Sequence, residues 1–261
     1  MDLAEIIEFY GIDNIVDKVE NPLINKRGIK FNLPFEPYTN GEPFAKNIET
    51  CKDINFWREY IDFLARNRYN CLSLWSSHPF HMMFRLEKYP ETCPYSDVEL
   101  EKYKNLYKFI FGYAKKLGID VYLITWNIRL TPFVAEGLGL PVEAGKMTKT
   151  FHSVRQNSEI VKDYFKECIK TLITTYENLA GIGTNCAEEM VGDAEERHKW
   201  GREVYIEAIK DSGRNIPFII RTNMGNGKIA KDYFIDPHPG KNNYISWKYS
   251  NAHMYSHYEP I

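Results

Sequence analysis

The feature of this 261-residue chain that most constrains its fold is a repeated alternation of short apolar runs with longer amphipathic segments. The apolar runs have the length of strands that are buried on both faces, and the amphipathic segments have helical spacing. Strands that alternate with helices predict parallel β/α units. We predict six such strands, at 27–33, 69–75, 120–126, 179–184, 217–222 and 243–248.

Helix signals lie before and between these strands. Asp53 is a suitable N-cap, Ser96 and Glu99 predict a capping box, and Gly118 predicts a helix end. The loops that follow strands are long and polar, whereas those that follow helices are short. We predict helices at 2–17, 54–67, 96–116, 158–177, 194–211 and near 227–235.

This loop asymmetry favours an α/β fold of the TIM-type (β/α)8 barrel class, whose functional loops lie on one face. A doubly wound sheet is disfavoured because no glycine-rich phosphate turn follows the first strand. Because the pattern stops after a sixth strand, we expect an incomplete barrel of about six parallel β/α units over residues 26–261. Residues 1–25 are expected to form an N-terminal helix and linker.

One alternative is that the long loop 127–156 hides another strand. Its apolar stretch at 133–135 is more typical of a helical turn.

Charge and cysteine usage exclude several classes of partner. A formal net charge of −2 offers no basic excess for a phosphate backbone, so we expect no nucleic acid partner. Five cysteines without metal-type spacing argue against a disulfide framework and a zinc site, and predict buried free thiols. No stretch approaches the roughly 18 apolar residues of a membrane span. No signal peptide is visible, and neither the compartment nor the oligomeric state follows from the sequence.

The candidate catalytic residues follow the fourth predicted strand, in the run Asn185-Cys186-Ala187-Glu188-Glu189. Glycoside hydrolysis commonly uses two carboxyl groups, and a glutamate just past a barrel strand is well placed to protonate a leaving oxygen. Adjacent side chains diverge, so we expect one of the pair to act, with a slight preference for Glu188. The alternative is that both are solvated acids. We find no second carboxylate close behind another strand.

Polar, cationic and aromatic residues at the other strand ends are candidate ligands for a carbohydrate substrate. The cations would suit a carboxylate such as that of a uronic acid, or they pair with acids in the barrel mouth. Two tryptophans would stack on a sugar or plug the barrel core. The candidate substrate-binding residues are Lys30, Trp75, His78, Trp126, Asn127, Arg129, Asn185, Arg221, Asn223, Lys248, Tyr249 and His253.

Histidines near the predicted strand ends offer acid–base chemistry near neutral pH, or metal ligation. These are His78, His81, His253 and His257. No HxxH or HExxH spacing on a helix supports a metal site, so we predict no metal and no other cofactor. A sugar isomerase or lyase that uses histidine is the alternative enzyme class.

Several segments resemble α-glucuronidase-like glycoside hydrolases, which are bacterial polysaccharide-degrading proteins with a (β/α)8 catalytic barrel. The similar segments are 27–34 (RGIKFNLP), 56–70, 74–80 (LWSSHPF), 181–189 and 248–256. The resemblance implies a hydrolase acting on a polysaccharide or oligosaccharide, with Glu188 or Glu189 as the acid after the fourth strand. The family's remaining catalytic carboxylates have no clear counterpart here. A non-catalytic carbohydrate-binding barrel fragment is therefore the alternative function.

Overall fold

Six parallel strands form the main sheet and curl into an open half-barrel. The computed structural model describes residues 3–14, 21–36, 42–126, 129–141, 151–152, 156–186, 190–222, 227–240 and 242–247. The strands are β1 (Gly28–Asn32), β2 (Cys71–Ser76), β3 (Asp120–Trp126), β4 (Gly181–Asn185), β5 (Phe218–Thr222) and β6 (Tyr244–Trp247). Each lies beside the strands that precede and follow it in the main sheet, which is the order of a TIM-type barrel. The predicted fold class, an incomplete α/β barrel, is confirmed.

Helices connect the strands, as the parallel order requires. They are α1 (Leu3–Tyr10), α2 (Glu42–Lys52), α3 (Ile54–Arg66), α4 (Phe80–Met83), α5 (Asp97–Lys116), α6 (Pro132–Gly137), α7 (Glu159–Thr175), α8 (Ala194–Gly201), α9 (Glu207–Asp211) and α10 (Gly227–Ala230). Short π-helical turns cover Arg202–Ile206 and Lys231–Ile235, and 3₁₀ turns cover Ile12–Asn14 and Pro90–Thr92. Helix α2 was not predicted, because its apolar residues are few and it follows a glycine- and proline-rich stretch.

The long loop after β3 holds no further strand of the main sheet within its described residues. Its helical turn is α6, as predicted. Arg129–Leu130 pairs antiparallel with Phe151–His152 as a separate ribbon. The described part of this loop therefore does contain strand residues, but they lie outside the main sheet.

Three predicted signals for helix ends are confirmed, whereas the first helix ends at Tyr10 and not at the predicted residue 17. The Asp53 side chain accepts a hydrogen bond from the Asn55 N–H at the start of α3. Ser96 and Glu99 form a reciprocal capping box at the start of α5. Gly118 has φ +75° just after this helix, in the left-handed region that favours glycine.

The two faces of the sheet are packed differently. The convex face carries the main core, where Leu72 and Leu74 of β2 are fully buried under the helices. The concave face carries a small cluster of Cys71, Trp75, Tyr122 and Ile124.

All five cysteines are buried and free, as predicted. Among the described residues, no helix has the length and apolar character to cross a bilayer.

Candidate active site

Two glycines on β4 allow large side chains to fill the concave face of the half-barrel. A Cβ at Gly181 would lie 2.4 Å from the Tyr122 ring. A Cβ at Gly183 would lie 2.3 Å from the Ile219 carbonyl oxygen and 2.6 Å from Ile124 Cδ1. These side chains form a packed layer across the barrel interior, and the functional end begins above it, where the strands end.

Two cations lie over the Trp75 ring on the concave face. Lys30 Nζ is 4.2 Å and Arg221 Cζ is 5.1 Å from the ring centroid, within cation–π range. The indole Nε1 donates to Ser73 Oγ at 2.7 Å. Because Trp75 is only 4% exposed, it fills the barrel interior. Of the two roles predicted for Trp75, this burial favours a plug of the barrel core over a platform for a sugar. Lys30 is exposed and Arg221 is half-buried, so both remain candidate ligands.

Three buried polar atoms at the carboxyl ends of strands have no hydrogen-bond partner among the described residues. They are Asn32 Oδ1 at the end of β1, Ser77 Oγ after β2 and Asn185 Oδ1 at the end of β4, while two further atoms of this kind, the Tyr107 hydroxyl and Ser158 Oγ, lie elsewhere in the described residues. A buried polar atom without a partner costs about 1–3 kcal/mol, so such atoms are uncommon in folded proteins. Three of them at one edge of a parallel sheet mark positions where a water molecule or a ligand would complete the hydrogen bonding. Asn185 was predicted as a substrate ligand, and Asn32 was noted only as a strand residue.

Several predicted site residues lie outside the part of the chain that the structure describes. For Trp126 and Arg129 only the backbone is described. The residues outside the described ranges are Asn127, Glu188, Glu189, Asn223, Lys248, Tyr249 and His253. Their roles stay predictions from the sequence.

His78, also predicted to bind substrate, lies instead in the core and is 1% exposed. Its Nε2 is 3.0 Å from the Tyr164 hydroxyl, and its Nδ1 is 3.0 Å from Nδ1 of His81. Both ring nitrogens are therefore occupied, which corrects the expectation of a direct sugar contact. Burial, and then His81, lower the pKa of His78 well below its ordinary value. Burial also lowers the pKa of His81 to about 4, so both rings are neutral at pH 7.

A carboxyl group follows β1, where none was recognised from the sequence. Glu36 has φ +48°, which is uncommon for a residue other than glycine and costs on the order of 1 kcal/mol. Its carbonyl oxygen accepts a hydrogen bond from the Ser77 N–H at 2.9 Å, which ties it to the end of β2. Its Oε1 lies 3.7 Å from Nε2 of His81. Burial raises the pKa of the Glu36 carboxyl to about 7.

A local signal marks this position in the sequence. Glu36 stands between Pro34 and Pro37, four residues past the last residue of β1. Two prolines so close together predict a turn near this acid, but a residue before proline is expected to be extended, so the left-handed backbone of Glu36 is not predicted by the run. Over the described ranges, His, Cys, Asp and Glu side chains form no group of three or more that would hold a metal ion.

No family model and no curated protein matches the sequence. Solved structures do match the fold. Over 95% of its length the chain is similar to a GH138 enzyme targeting pectin rhamnogalacturonan II, with a TM-score of 0.78 and 22% identity, and it covers 29% of that enzyme. It is similar to a family 20 β-N-acetylglucosaminidase with a TM-score of 0.55 and 13% identity, covering 87% of this chain and 53% of that one.

A third similar structure is a mutant Streptomyces plicatus β-hexosaminidase in complex with its product GlcNAc. Its TM-score is 0.53 at 14% identity, over 86% of this chain and 48% of that one. These neighbours are glycoside hydrolases with TIM-barrel folds, and at such identities the likeness establishes the fold. The chain spans less than a third of the GH138 enzyme's length and about half of the other two.

Proposed function

We propose that this chain forms part of the catalytic barrel of a glycoside hydrolase that acts on a polysaccharide or oligosaccharide by carboxyl acid/base catalysis. The observation that carries the proposal is the set of buried, unpartnered oxygens of Asn32, Ser77 and Asn185 at the carboxyl ends of three strands. Sugar hydroxyl groups are the hydrogen-bond donors that such oxygens accept. The fold shared with glycoside hydrolases supports the same function.

The catalytic carboxyl after β4 is proposed to be Glu188 or Glu189, on sequence grounds. A glutamate at this point of a barrel strand lies where substrates bind in this fold. We also propose residues 26–261 as the barrel part and 1–25 as a segment that precedes it. The proposed substrate ligands are Lys30, Trp126, Asn127, Arg129, Asn185, Arg221, Asn223, Lys248, Tyr249 and His253.

A substrate that contains a uronic acid is the finer form of this proposal. Lys30 and Arg221 supply two positive charges on the concave face, and both lie beside Trp75. Arginine and lysine bind carboxylates by charge-assisted hydrogen bonds. The resemblance to α-glucuronidases stays a prediction, because none of the three structures named above is described as an α-glucuronidase.

The test replaces Glu188 and Glu189 singly with Gln in the full-length protein. Aryl glycosides of neutral, N-acetylated and uronic sugars, together with uronic-acid oligosaccharides, are assayed for turnover. Loss of one catalytic carboxyl is expected to lower kcat/KM by about 10²–10⁴-fold, because general acid–base catalysis contributes that much. The matched control is Glu177→Gln, since Glu177 is an exposed glutamate at the opposite end of the sheet. Full activity in both test variants would refute the assignment of this acid.

The second candidate function is a carbohydrate-binding barrel without catalysis. It is favoured by the absence, in the sequence, of a clear counterpart for the family's remaining carboxylates. Titration calorimetry with the same oligosaccharides separates the two functions: heat of binding without any turnover would favour the binding protein.

A further inference from the structure

Glu36 is held at the carboxyl edge of the sheet by contacts on both sides of the turn that carries it. The Leu33 N–H donates to the Trp75 carbonyl at 2.8 Å, and Ser76 Oγ donates to the Phe35 carbonyl at 3.1 Å. The Ser77 N–H then binds the carbonyl of Glu36 itself. The chain after β1 thus runs along the end of β2, and Glu36 stands at the tip with a left-handed backbone. Such strained positions cluster at functional sites.

The Glu36 carboxyl is poorly hydrated yet reachable. Its side chain is 28% exposed, and none of the described residues makes a hydrogen bond to it. The titratable groups that face it in the described ranges are His81 of α4 and Tyr95 of the loop before α5. The Tyr95 ring stacks on the His81 ring, with centroids 5.9 Å apart. One side of the carboxyl is therefore lined by the buried His81 ring and the half-buried Tyr95 ring, and part of the side chain stays exposed.

The surroundings of Glu36 favour a proton on its carboxyl over one on the neighbouring His81. His81 Nε2 is 3.7 Å from Glu36 Oε1, too far for a hydrogen bond. The pKa of His81, about 4, is below the pKa of Glu36, about 7, so His81 does not take the proton at neutral pH. His81 is itself fixed through its Nδ1 to His78, and His78 through its Nε2 to Tyr164. A protonated carboxyl held in this way is suited to give its proton to a ligand on the open side.

We propose that Glu36 is the general acid of this barrel mouth and protonates the oxygen of the scissile glycosidic bond. The proposal rests on the glycoside hydrolase function proposed above. In this step the Glu36 O–H bond breaks and the proton passes to the glycosidic oxygen. The bond from that oxygen to the anomeric carbon breaks with its electron pair left on the oxygen, so the leaving sugar departs as an alcohol. Water completes the hydrolysis, and its proton returns to a carboxylate. Glu188 or Glu189, which the sequence predicted as the acid, then takes the role of base or nucleophile instead.

Two substrates that share a sugar and differ in leaving group test this role. A 2,4-dinitrophenyl glycoside needs little protonation to leave, whereas a 4-methoxyphenyl glycoside needs much. For Glu36→Gln we expect kcat/KM to fall by about 10²–10⁴-fold on the methoxyphenyl glycoside and by less than about tenfold on the dinitrophenyl glycoside. The fall in wild-type activity above pH 7 should also be absent in this variant. The matched control, Glu87→Gln, changes an exposed glutamate in the loop after β2 and should leave both rates unchanged.

Thermal unfolding checks that each variant is folded. If Glu36→Gln does not fold, Glu36→Asp carries the test, because it keeps the acid but draws it back by one methylene. A loss confined to the methoxyphenyl glycoside would again support the proposal. Equal losses on both substrates, or no loss on either, would overturn it while the glycosidase function stands. A folded wild-type protein without turnover on any glycoside would remove the proposed function and this inference together.

Discussion

The two ends of the sheet differ in whether their polar side chains have hydrogen-bond partners. At the carboxyl end, the buried oxygens of Asn32, Ser77 and Asn185 lack partners in the described part of the chain. At the amino end, Lys26 donates to the Tyr122 hydroxyl at 2.6 Å and forms an ion pair with Asp120 at 3.3 Å. In a (β/α)8 fold the amino end serves stability and the carboxyl end serves chemistry. The contrast in hydrogen bonding therefore marks the functional end without any ligand being present.

Cavity volume does not by itself mark the site, because a larger cavity, of about 600 Å³, lies between helices α2 and α5. A cavity of about 460 Å³ lies at the amino end, lined by Lys26, Tyr122 and Arg214 among others. The guanidinium of Arg214 donates to the carbonyl oxygens of Ile173, Tyr176 and Glu177 at the end of α7. Lys26, Asp120 and Arg214 at this cavity thus have partners within the protein. Unpartnered buried atoms at the carboxyl end point to a site more directly, since they carry a cost that a ligand or a bound water would remove.

The largest expected effect comes from the packed layer that separates the two ends. Gly183→Ala should lower the free energy of unfolding by about 3 kcal/mol, because the new methyl group would collide with the backbone carbonyl of Ile219. Denaturant unfolding measures this loss. The control is Gly112→Ala in α5, where the nearest atom to a new Cβ, Nδ2 of Asn178, is 3.5 Å away. Alanine there should be neutral or gain up to about 1 kcal/mol from helix propensity. Equal effects at both positions would mean that the layer is not tightly packed.

The order of the strands was predictable because it depends on local patterns. The alternation of buried strands and amphipathic helices can be recognised from residues close together in the sequence. The same holds for helix-start signals such as Ser96 and Glu99. The site was less predictable, since it depends on contacts between distant segments. Glu36 meets His81 and Ser77 only after the chain folds, and His78 finds Tyr164, 86 residues further along the chain. A histidine in a loop sequence gave no sign of this burial.

The next effect in size is the pH dependence of stability. It compares one carboxyl at each end of the sheet, Glu36 at the carboxyl end and Glu177 at the amino end. The pKa of Glu36 is about 7 in the folded protein and 4.5 as an ordinary glutamate. The folded state therefore holds this proton more tightly, and the stability it contributes below pH 4.5 is lost as pH rises through 7. Glu36→Gln removes that loss. At pH 8 it should raise the free energy of unfolding by about 2 kcal/mol, less than the full pKa difference implies, because the side chain is partly exposed.

Chemical denaturation of wild type and variant at pH 4.5 and pH 8 measures this difference, which should be near zero at the acid end of the range. Glu177→Gln is again the control, at the amino end, and should show no pH-dependent gain. A variant that gains stability while losing activity would fit a site where function and stability are opposed. A gain of the same size at both pH values would show that the carboxyl is not desolvated.

The smallest effect is also the sharpest comparison, because the chain offers an asparagine at each end. Asn70, just before β2, accepts a hydrogen bond from the Arg27 N–H at 2.8 Å and donates to the Asn25 carbonyl at 2.7 Å. Asn70→Ala removes both bonds and should cost about 1 kcal/mol of stability with no change in turnover or binding. Asn185→Ala removes an oxygen without a described partner, so stability should stay level or rise by up to about 1 kcal/mol.

Sugar binding should respond in the opposite sense. Asn185→Ala should weaken binding of an oligosaccharide about tenfold, since one hydrogen bond to the ligand is lost, while Asn70→Ala leaves it unchanged. Titration calorimetry and denaturant unfolding on the same two variants give both readouts. If Asn185→Ala were the less stable variant and bound sugar normally, Asn185 would be a structural residue. The proposal that residues at the carboxyl end bind ligand at a cost in folding stability would then fail.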